Sequence, residues 1–104
     1  MAENIVLTEA VYYILLSLKE PVHGYGIMQN VAQLTNNRVN LAAGTLYGAL
    51  TALLEKGWIS ALPEADQSRR KEYQITDSGQ AAVQKELERL RELLRNGEGI
   101  YGDD

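Results

Sequence analysis

The segment from Gly44 to Gly57 constrains the fold more than any other part of this sequence. Its buried positions recur at steps of four and three, a spacing that places them on one face of an α-helix: Leu46, Leu50 and Leu53. The opposite face is small, uncharged and hydroxyl-bearing, with Gly44, Gly48 and Thr51 at its centre and Tyr47 at its edge. A solvated helix would normally carry lysine and glutamate there. The pattern therefore predicts a helix whose outer face lies close to another surface.

Two helices are predicted before this segment. Thr8 is a suitable N-cap for a first helix of about 12 residues that ends at Glu20-Pro21. Its buried stripe is predicted to be Val11, Ile14, Leu15 and Leu18. The second helix begins near His23, which is predicted to hydrogen-bond at the helix start, and it buries Ile27, Val31 and Leu34. Asn40 is a candidate N-cap for the third helix, and Gly57 a candidate C-terminal glycine.

The periodicity changes after Gly57 and returns to that of a helix at Thr76. Residues 58–62 and 71–75 are rich in aromatic and β-branched residues and predict a β-hairpin. Thr76 is predicted to cap a final helix that stops at Asn96-Gly97, with a heptad seam of Val83, Leu87, Leu90 and Leu94. The sequence thus predicts three parts: residues 1–75 as a domain of three helices and a hairpin, 76–96 as a dimerisation helix and 97–104 as a disordered acidic tail.

Composition limits the functional classes. With 104 residues and 45% apolar content, the chain predicts one small domain with a modest core. It contains no cysteine, one histidine and no phosphate-binding fingerprint, so we expect neither enzymatic activity nor a metal or cofactor. The first residues, Met1-Ala2-Glu3-Asn4, lack the positive charge of a signal peptide, and no apolar run is long enough to span a bilayer, so we expect a cytoplasmic protein without a membrane association.

The net charge of −4 disfavours nucleic-acid binding, but its distribution weakens that objection. Residues 76–104 carry seven acidic and four basic side chains, while the rest of the chain is close to neutral. A short basic cluster, Arg69-Arg70-Lys71, falls at the predicted hairpin. Local charge determines where a phosphate docks, so the basic cluster is a candidate contact.

Three separated motifs resemble the PadR family of bacterial transcriptional regulators. They are His23-Gly24-Tyr25, then Gly44-Thr45-Leu46-Tyr47 with the leucines that follow as far as Gly57-Trp58-Ile59, and then Arg70-Lys71 through Tyr73, Ile75-Thr76 and Gly79. The resemblance covers residues 8–80, and the single final helix is similar to the short-chain subgroup. It implies a mainly α winged helix-turn-helix with a small β-hairpin, followed by a long C-terminal helix.

The resemblance also implies a homodimeric repressor. The third helix would enter the major groove of operator DNA, the hairpin wing would touch the flanking backbone, and the last helix would dimerise with help from the first. A small aromatic effector would release the DNA. The expected DNA-binding residues are Tyr25, Asn40, Gly44, Thr45, Tyr47, Gly48, Thr51, Arg69, Arg70 and Lys71. The expected dimerisation residues are Val11, Ile14, Leu15, Val83, Leu87, Leu90 and Leu94.

The sequence departs from the family pattern in two respects. Ala42, Ala43 and Gly48 stand where the family often has Ser-Pro before the Gly-Thr pair and proline after the tyrosine. The last helix also lacks the aromatic residue that drug-sensing relatives present to flat ligands.

Alternatives remain open from the sequence. Tyr47 either contacts DNA or packs on a neighbouring helix, and only the resemblance favours DNA. For Tyr25 two interpretations also remain open, a contact with the DNA backbone or packing in the core or an interface. The alternative function is a winged-helix protein-interaction module that binds a partner through its acidic C-terminal helix and does not bind DNA specifically.

Overall fold

A computed structural model describes residues 6–63 and 71–102. Within these residues the chain forms four helices and three strands, and their order confirms the mainly α winged helix-turn-helix class with a long final helix. The elements are α1 (Glu9–Ser17), β1 (Val22–His23), α2 (Gly24–Leu34), α3 (Ala43–Lys56), β2 (Ile59–Ala61), β3 (Glu72–Ile75) and α4 (Asp77–Tyr101). None of the helices in these ranges has the length and apolarity needed to cross a bilayer.

Side-chain caps fix three of the helix starts as predicted. Thr8 Oγ1 accepts a hydrogen bond from the Val11 amide, His23 Nδ1 from the Gly26 amide and Thr76 Oγ1 from the Gly79 amide, each at 3.1 Å. Such caps satisfy amides that the helix itself leaves without an acceptor.

Helix α1 has 9 residues and ends at Ser17, earlier than predicted. At Leu18 the backbone leaves the helical conformation, and its carbonyl instead accepts the Ile75 amide of β3 at 2.9 Å. The sequence pattern could not show this, because the hydrogen bond joins residues far apart in the chain.

The core is formed by one face of each of the first three helices together with the sheet and the start of α4. Its fully buried side chains include Ile14, Leu15, Leu18, Ile27, Val31, Leu46 and Leu50. The prediction that Leu34 is buried is wrong, because it is 57% exposed. Thr35 takes the inner position at the end of α2, where its hydroxyl donates to the Val31 carbonyl at 2.9 Å.

The sheet confirms the predicted hairpin and adds a strand to it. Strands β2 and β3 pair antiparallel with Ile59 opposite Ile75, and β1 pairs on the other edge of β3 with Val22 opposite Tyr73. The strand order is β1-β3-β2. Strand β1 was not predicted, because two residues are too few to show an alternating pattern.

Helix α4 does not stop at Asn96-Gly97 but continues to Tyr101, so the predicted disordered tail is wrong for the residues up to that point. A glycine inside a helix costs about 1 kcal/mol relative to alanine, yet it keeps its amide and can continue the hydrogen-bonding pattern. Gly57 differs, because its φ of 76° lies in the left-handed region and ends α3 as predicted. Asp103 and Asp104 lie outside the described residues.

Candidate nucleic-acid interface

The outer face of α3 is exposed as predicted. Leu46, Leu50 and Leu53 point into the core. The exposed positions on the other side include Gly44, Thr45, Tyr47, Gly48 and Thr51. A Cβ added at Gly44 or Gly48 would meet no other atom within 4 Å. The protein itself therefore does not require glycine there, whereas a closely approaching partner would.

The predicted capping role of Asn40 is wrong. Helix α3 begins at Ala43, and its N-cap, Ala42, offers no side-chain acceptor. An N-cap bonds the second or third amide that follows it, so Asn40 would have suited a helix that starts two residues earlier. Its side-chain amide instead donates to the Asn37 carbonyl at 2.8 Å, and Asn40 remains exposed. The first turn of α3 is thus free of a side-chain cap, and its amides favour an anion at this end.

Tyr47 connects α3 to the first turn of α2. It is 47% exposed, and a Cβ added at Gly24 would lie only 2.8 Å from Tyr47 Cζ, with the phenol oxygen closer still. The absence of a side chain at Gly24 therefore makes room for the side chain of Tyr47, and not for the close approach of another backbone segment. Tyr25, the next residue, is 59% exposed. The two tyrosines predicted to contact DNA thus occur at neighbouring parts of the surface.

A third tyrosine, Tyr73, lies near Tyr47 and was not predicted as part of the site. It is 8% exposed on β3, and burial, followed by the nearby Tyr47, raises the pKa of its phenol. Its position in an alternating strand indicated only that it points inward. The proximity to Tyr47 depends on how β3 packs against α3, which the sequence does not show.

The face of α3 is poor in charge. Arg38 is the one ionised side chain between Pro21 and Leu54 in the sequence. It is held by Glu9 of α1 through two hydrogen bonds, with Nη1 and Oε1 3.3 Å apart and Nη2 paired with Oε2. These bonds lower the pKa of the Glu9 carboxyl. Of the predicted basic cluster, Lys71 is exposed at the start of β3, while Arg69 and Arg70 lie outside the described residues.

The predicted dimerisation residues divide into three groups by their exposure. Ile14 and Leu15 are wholly buried in the core of this chain, and Val83 is 8% exposed. Ile14 and Leu15 therefore offer no surface to a second chain, and the prediction that they contact one is wrong, because the packing of α1 on its own core consumes them. Val11 and Leu87 are half-buried. Leu90 and Leu94 are exposed on α4, as a partner-facing seam requires.

A buried carboxylate fixes the first half of α4. Glu86 is 3% exposed and binds Arg89 through two contacts, Nη2–Oε2 at 2.6 Å and Nε–Oε1 at 2.9 Å. The hydrogen bond from Arg89, assisted by its charge and by a backbone hydrogen bond from Leu7, holds the pKa of Glu86 below its usual value against the opposing effect of burial.

The end of α3 is tied directly to the start of α4. Thr76 Oγ1 donates to the Gly57 carbonyl at 2.7 Å, and the Thr76 amide donates to the Trp58 carbonyl at 2.9 Å. Gly79 packs so closely on Trp58 that a Cβ there would lie 2.7 Å from Ile75 Cγ1 and closer to the Trp58 carbonyl oxygen. The candidate interface and the long helix are thus joined without a flexible connection.

This arrangement of helices, hairpin and exposed third helix defines a winged helix-turn-helix protein. The model of the transcriptional regulator PadR-like family matches residues 13–85. The chain belongs to this family and is therefore a transcriptional regulator, which confirms both the resemblance and the prediction that it is not an enzyme.

The chain is also similar to other proteins of known sequence or structure. An uncharacterized protein of Lysinibacillus sphaericus is 32% identical over 84 residues, which cover 76% of this chain and 77% of that protein. A PadR family transcriptional regulator from Eggerthella lenta is 29% identical, with a TM-score of 0.67 and coverage of 86% of this chain and 77% of the other. A transcriptional regulator from Clostridium thermocellum has the same fold at 23% identity, with a TM-score of 0.73 over 91% of this chain and 93% of that one.

Proposed function

We propose that the protein acts as a homodimeric repressor that binds operator DNA through α3 and the β2–β3 wing. The observation that carries this proposal is the exposed, uncharged and hydroxyl-bearing face of α3. A helix of this kind fits the major groove, which is wide enough to admit an α-helix. Occupancy of a promoter by such a dimer would exclude the transcription machinery.

The chemistry of the face favours contacts with the phosphate backbone. Thr45 and Tyr47 can donate hydroxyl hydrogen bonds to phosphate oxygens, and Gly44 lets the DNA backbone approach the first turn of α3. Lys71 supplies a cation from the wing. The exposed residues of this face include no Arg, Asn or Gln that could read a base with two hydrogen bonds, so specificity would come from thymine methyl groups, the wing and DNA shape.

Dimerisation is supported by the second half of α4. Leu90, Leu94 and other apolar side chains of this segment are exposed in the single chain. A second chain that packed along this 25-residue helix would bury them. A dimer would also place two copies of α3 on one duplex, which is how helix-turn-helix proteins read paired half-sites. A regulator that acts on DNA would work in the cytoplasm.

Release by a small aromatic effector remains a prediction of the family resemblance. An apolar groove of about 170 Å³ lies between the start of α1 and α3, lined by residues that include Leu7, Val11, Ala52 and Trp58. Pockets that hold drug-sized ligands are larger, from about 300 Å³ upward. The proposal therefore assigns no effector to this groove.

Tyr47 provides the test of the DNA-binding proposal. We expect Tyr47→Ala to abolish binding to the upstream region of the protein's own gene in a gel shift, and Tyr47→Phe to weaken it at least about tenfold, because a hydrogen bond to a charged group is lost in each subunit. Ser78→Ala, which removes an exposed hydroxyl from α4, is the matched control and should bind normally.

The same assay separates the two candidate functions. A repressor loses affinity for its operator steeply as the salt concentration rises, whereas an interaction module shows no specific shift at any salt concentration. Normal binding by Tyr47→Ala would refute the assignment of α3. Absence of a specific shift by the unmodified protein would refute the repressor.

A further inference from the structure

His23 caps helix α2 through a ring nitrogen. Its Nδ1 atom accepts a hydrogen bond from the Gly26 amide at 3.1 Å. A neutral imidazole accepts at one ring nitrogen and carries its proton on the other, so this cap assigns the proton to Nε2. The usual capping residues, such as serine and asparagine, keep their acceptor at any mild pH. The cap at His23 instead exists in only one of the two charge states of the side chain.

The first turn of α2 has little of its own to keep it helical. Gly24 and Gly26 occupy two of its positions, and glycine is among the poorest helix formers. This turn contains no acidic side chain that would interact favourably with the helix dipole. The turn therefore depends on the acceptor that His23 supplies.

Protonation of His23 would reverse this contribution. An imidazolium donates at both ring nitrogens and accepts at neither, so its Nδ1–H group would face the Gly26 N–H group, donor against donor. The added positive charge would also lie at the positive end of the helix dipole. Both effects disfavour the first turn of α2 in its present position.

This turn carries two parts of the proposed DNA interface. Gly24 leaves the space that the phenol of Tyr47 occupies, and Tyr25 is exposed directly beside it. A displacement of the turn therefore moves both tyrosines at once.

We propose that His23 is a positioning residue whose protonation state controls the affinity for DNA. Neutral His23 holds the first turn of α2 so that Tyr25 and Tyr47 meet the phosphate backbone together, and protonation releases the turn and weakens the complex. The proposal rests on the DNA-binding function proposed above and adds regulation by protons to it. Histidine is the side chain whose charge ordinarily changes between about pH 5 and pH 8, and this sequence contains one.

The charged groups near His23 come from three parts of the described chain. Helix α2 and strand β3 pack against β1, and a short turn precedes β1. The ionisable side chains on these three parts are Lys19, Glu20, Tyr25, Glu72 and Tyr73. Glu72 lies directly opposite His23 in the sheet. An imidazolium would therefore meet one carboxylate across the sheet and the amides of α2 on its own side.

The pH dependence of operator binding tests the proposal. Fluorescence anisotropy with the full chain and DNA from upstream of its own gene measures the dissociation constant. This constant should rise at least about tenfold from about pH 7.5 to about pH 5.5, because the fraction of protein competent to bind falls.

Two variants separate the cap from other sources of pH dependence. His23→Asn keeps an N-cap acceptor that does not titrate, so it should bind within about threefold of the original protein at about pH 7.5 and lose the pH dependence. His23→Ala lacks an acceptor and should bind weakly at both pH values. A rise of the dissociation constant in His23→Asn as large as in the original protein would overturn the proposal.

NMR of the isotope-labelled free protein tests the cap itself. At about pH 7.5 the ring nitrogen shifts should show the proton on Nε2, and the Gly26 amide should shift with the same midpoint as the ring during acidification. The Gly79 amide, which is capped by the Thr76 hydroxyl, is the matched control and should not follow that titration. A Gly26 amide that does not respond to the ring would also overturn the proposal.

These measurements distinguish this proposal from the one on which it rests. Absence of specific operator binding at every pH refutes the DNA-binding function, and its regulation with it. Specific binding of equal affinity at both pH values retains that function and refutes the role of His23.

Discussion

Gly24 shapes the candidate interface through the side chain that it lacks. Its Cβ position is taken by the phenol of Tyr47, a residue from the next helix. Tyr47 can therefore lie across the first turn of α2 and still present about half of its surface to solvent. The position of Tyr47, which is proposed to donate a hydrogen bond to a DNA phosphate, thus depends on Gly24, which has no side chain to contact DNA.

Gly24→Ala should separate binding from stability. The new methyl group overlaps the far end of a flexible, half-exposed side chain, so Tyr47 can turn away and the free energy of unfolding should change by less than about 1 kcal/mol. Operator affinity should fall at least about tenfold, because the displaced phenol loses a phosphate contact in each subunit. Denaturant unfolding and a gel shift measure the two effects.

The control for this prediction is Gly99→Ala. A Cβ at Gly99 meets nothing within 4 Å, so alanine should raise the stability of α4 by up to about 1 kcal/mol and leave DNA binding unchanged. Normal operator binding by Gly24→Ala would show that the position of Tyr47 does not matter for the complex.

Glu86→Gln should destabilise the fold in a pH-dependent manner. The folded protein holds the pKa of this carboxyl below its usual value of 4.5, so its contribution is present above that pH and is lost as the pH falls through the folded pKa. At pH 7 the variant should be less stable by about 1–3 kcal/mol, since a charge-assisted hydrogen bond to Arg89 is weakened. Thermal unfolding from pH 7 to pH 3 should show the difference shrinking toward the acid end; a constant difference would contradict the assignment.

Individual residues were predictable where their role is local. The caps at Thr8, His23 and Thr76 act within three residues, so the sequence was sufficient to identify them. The contact of Tyr47 with Gly24 and its proximity to Tyr73 were not predictable, because they depend on packing between α2, α3 and β3. Asn40 has the right residue type for a cap, but the helix begins too late for it.

At the scale of elements, the boundaries depend on what each end contacts. The hydrophobic periodicity predicted all four helices and both strands of the hairpin. It placed the end of α1 too late, because a hydrogen bond to β3 ends that helix, and the end of α4 too early, because Gly97 was treated as a stop. A helix ends at a glycine when that glycine adopts the left-handed backbone conformation, as Gly57 does. The residue type alone does not show whether a glycine adopts this conformation.

Thr76→Ala should be more harmful than the loss of an ordinary cap. Its hydroxyl both accepts from the Gly79 amide and donates to the Gly57 carbonyl, so we expect a loss of about 1–2 kcal/mol in the free energy of unfolding. Thr8→Ala, which removes a cap without a second hydrogen bond, should cost about 1 kcal/mol, and Thr76→Ser should retain most of the stability. Equal losses for Thr76→Ala and Thr8→Ala in urea unfolding would mean that the bond to Gly57 contributes little.

At the scale of the whole molecule, the acidic chain has few cations with which to attract DNA. The segment from Pro21 to Leu54 contributes Arg38, which is already paired with Glu9, so in the proposed complex the wing would supply most of the electrostatic attraction. The sequence predicted this role for Arg69, Arg70 and Lys71 from charge and position in the hairpin. Of these, Lys71 lies within the described residues and is exposed.

Lys71→Ala should make DNA binding less sensitive to salt. Each lost phosphate contact reduces the slope of log K against log salt concentration by about 0.9, so a dimer that loses two should show a slope shallower by about 2. Fluorescence anisotropy with labelled operator at four salt concentrations would measure it. Lys85→Ala removes the same charge from the exposed surface of α4 and should leave the slope unchanged; an equal change in both variants would indicate a general effect of net charge.

The hydrogen bonds of Thr76 couple the orientation of the long helix α4 to that of α3. Because the Gly57 and Trp58 carbonyls are bonded directly to Thr76, a tilt of α4 must carry α3 with it. In a dimer, the angle between the two copies of α4 would set the distance between the two copies of α3. On B-form DNA that distance must match one helical repeat of about 34 Å. A change of a few degrees in the angle between the two α4 helices, far from the duplex, would then be enough to move both copies of α3 out of register with successive major grooves.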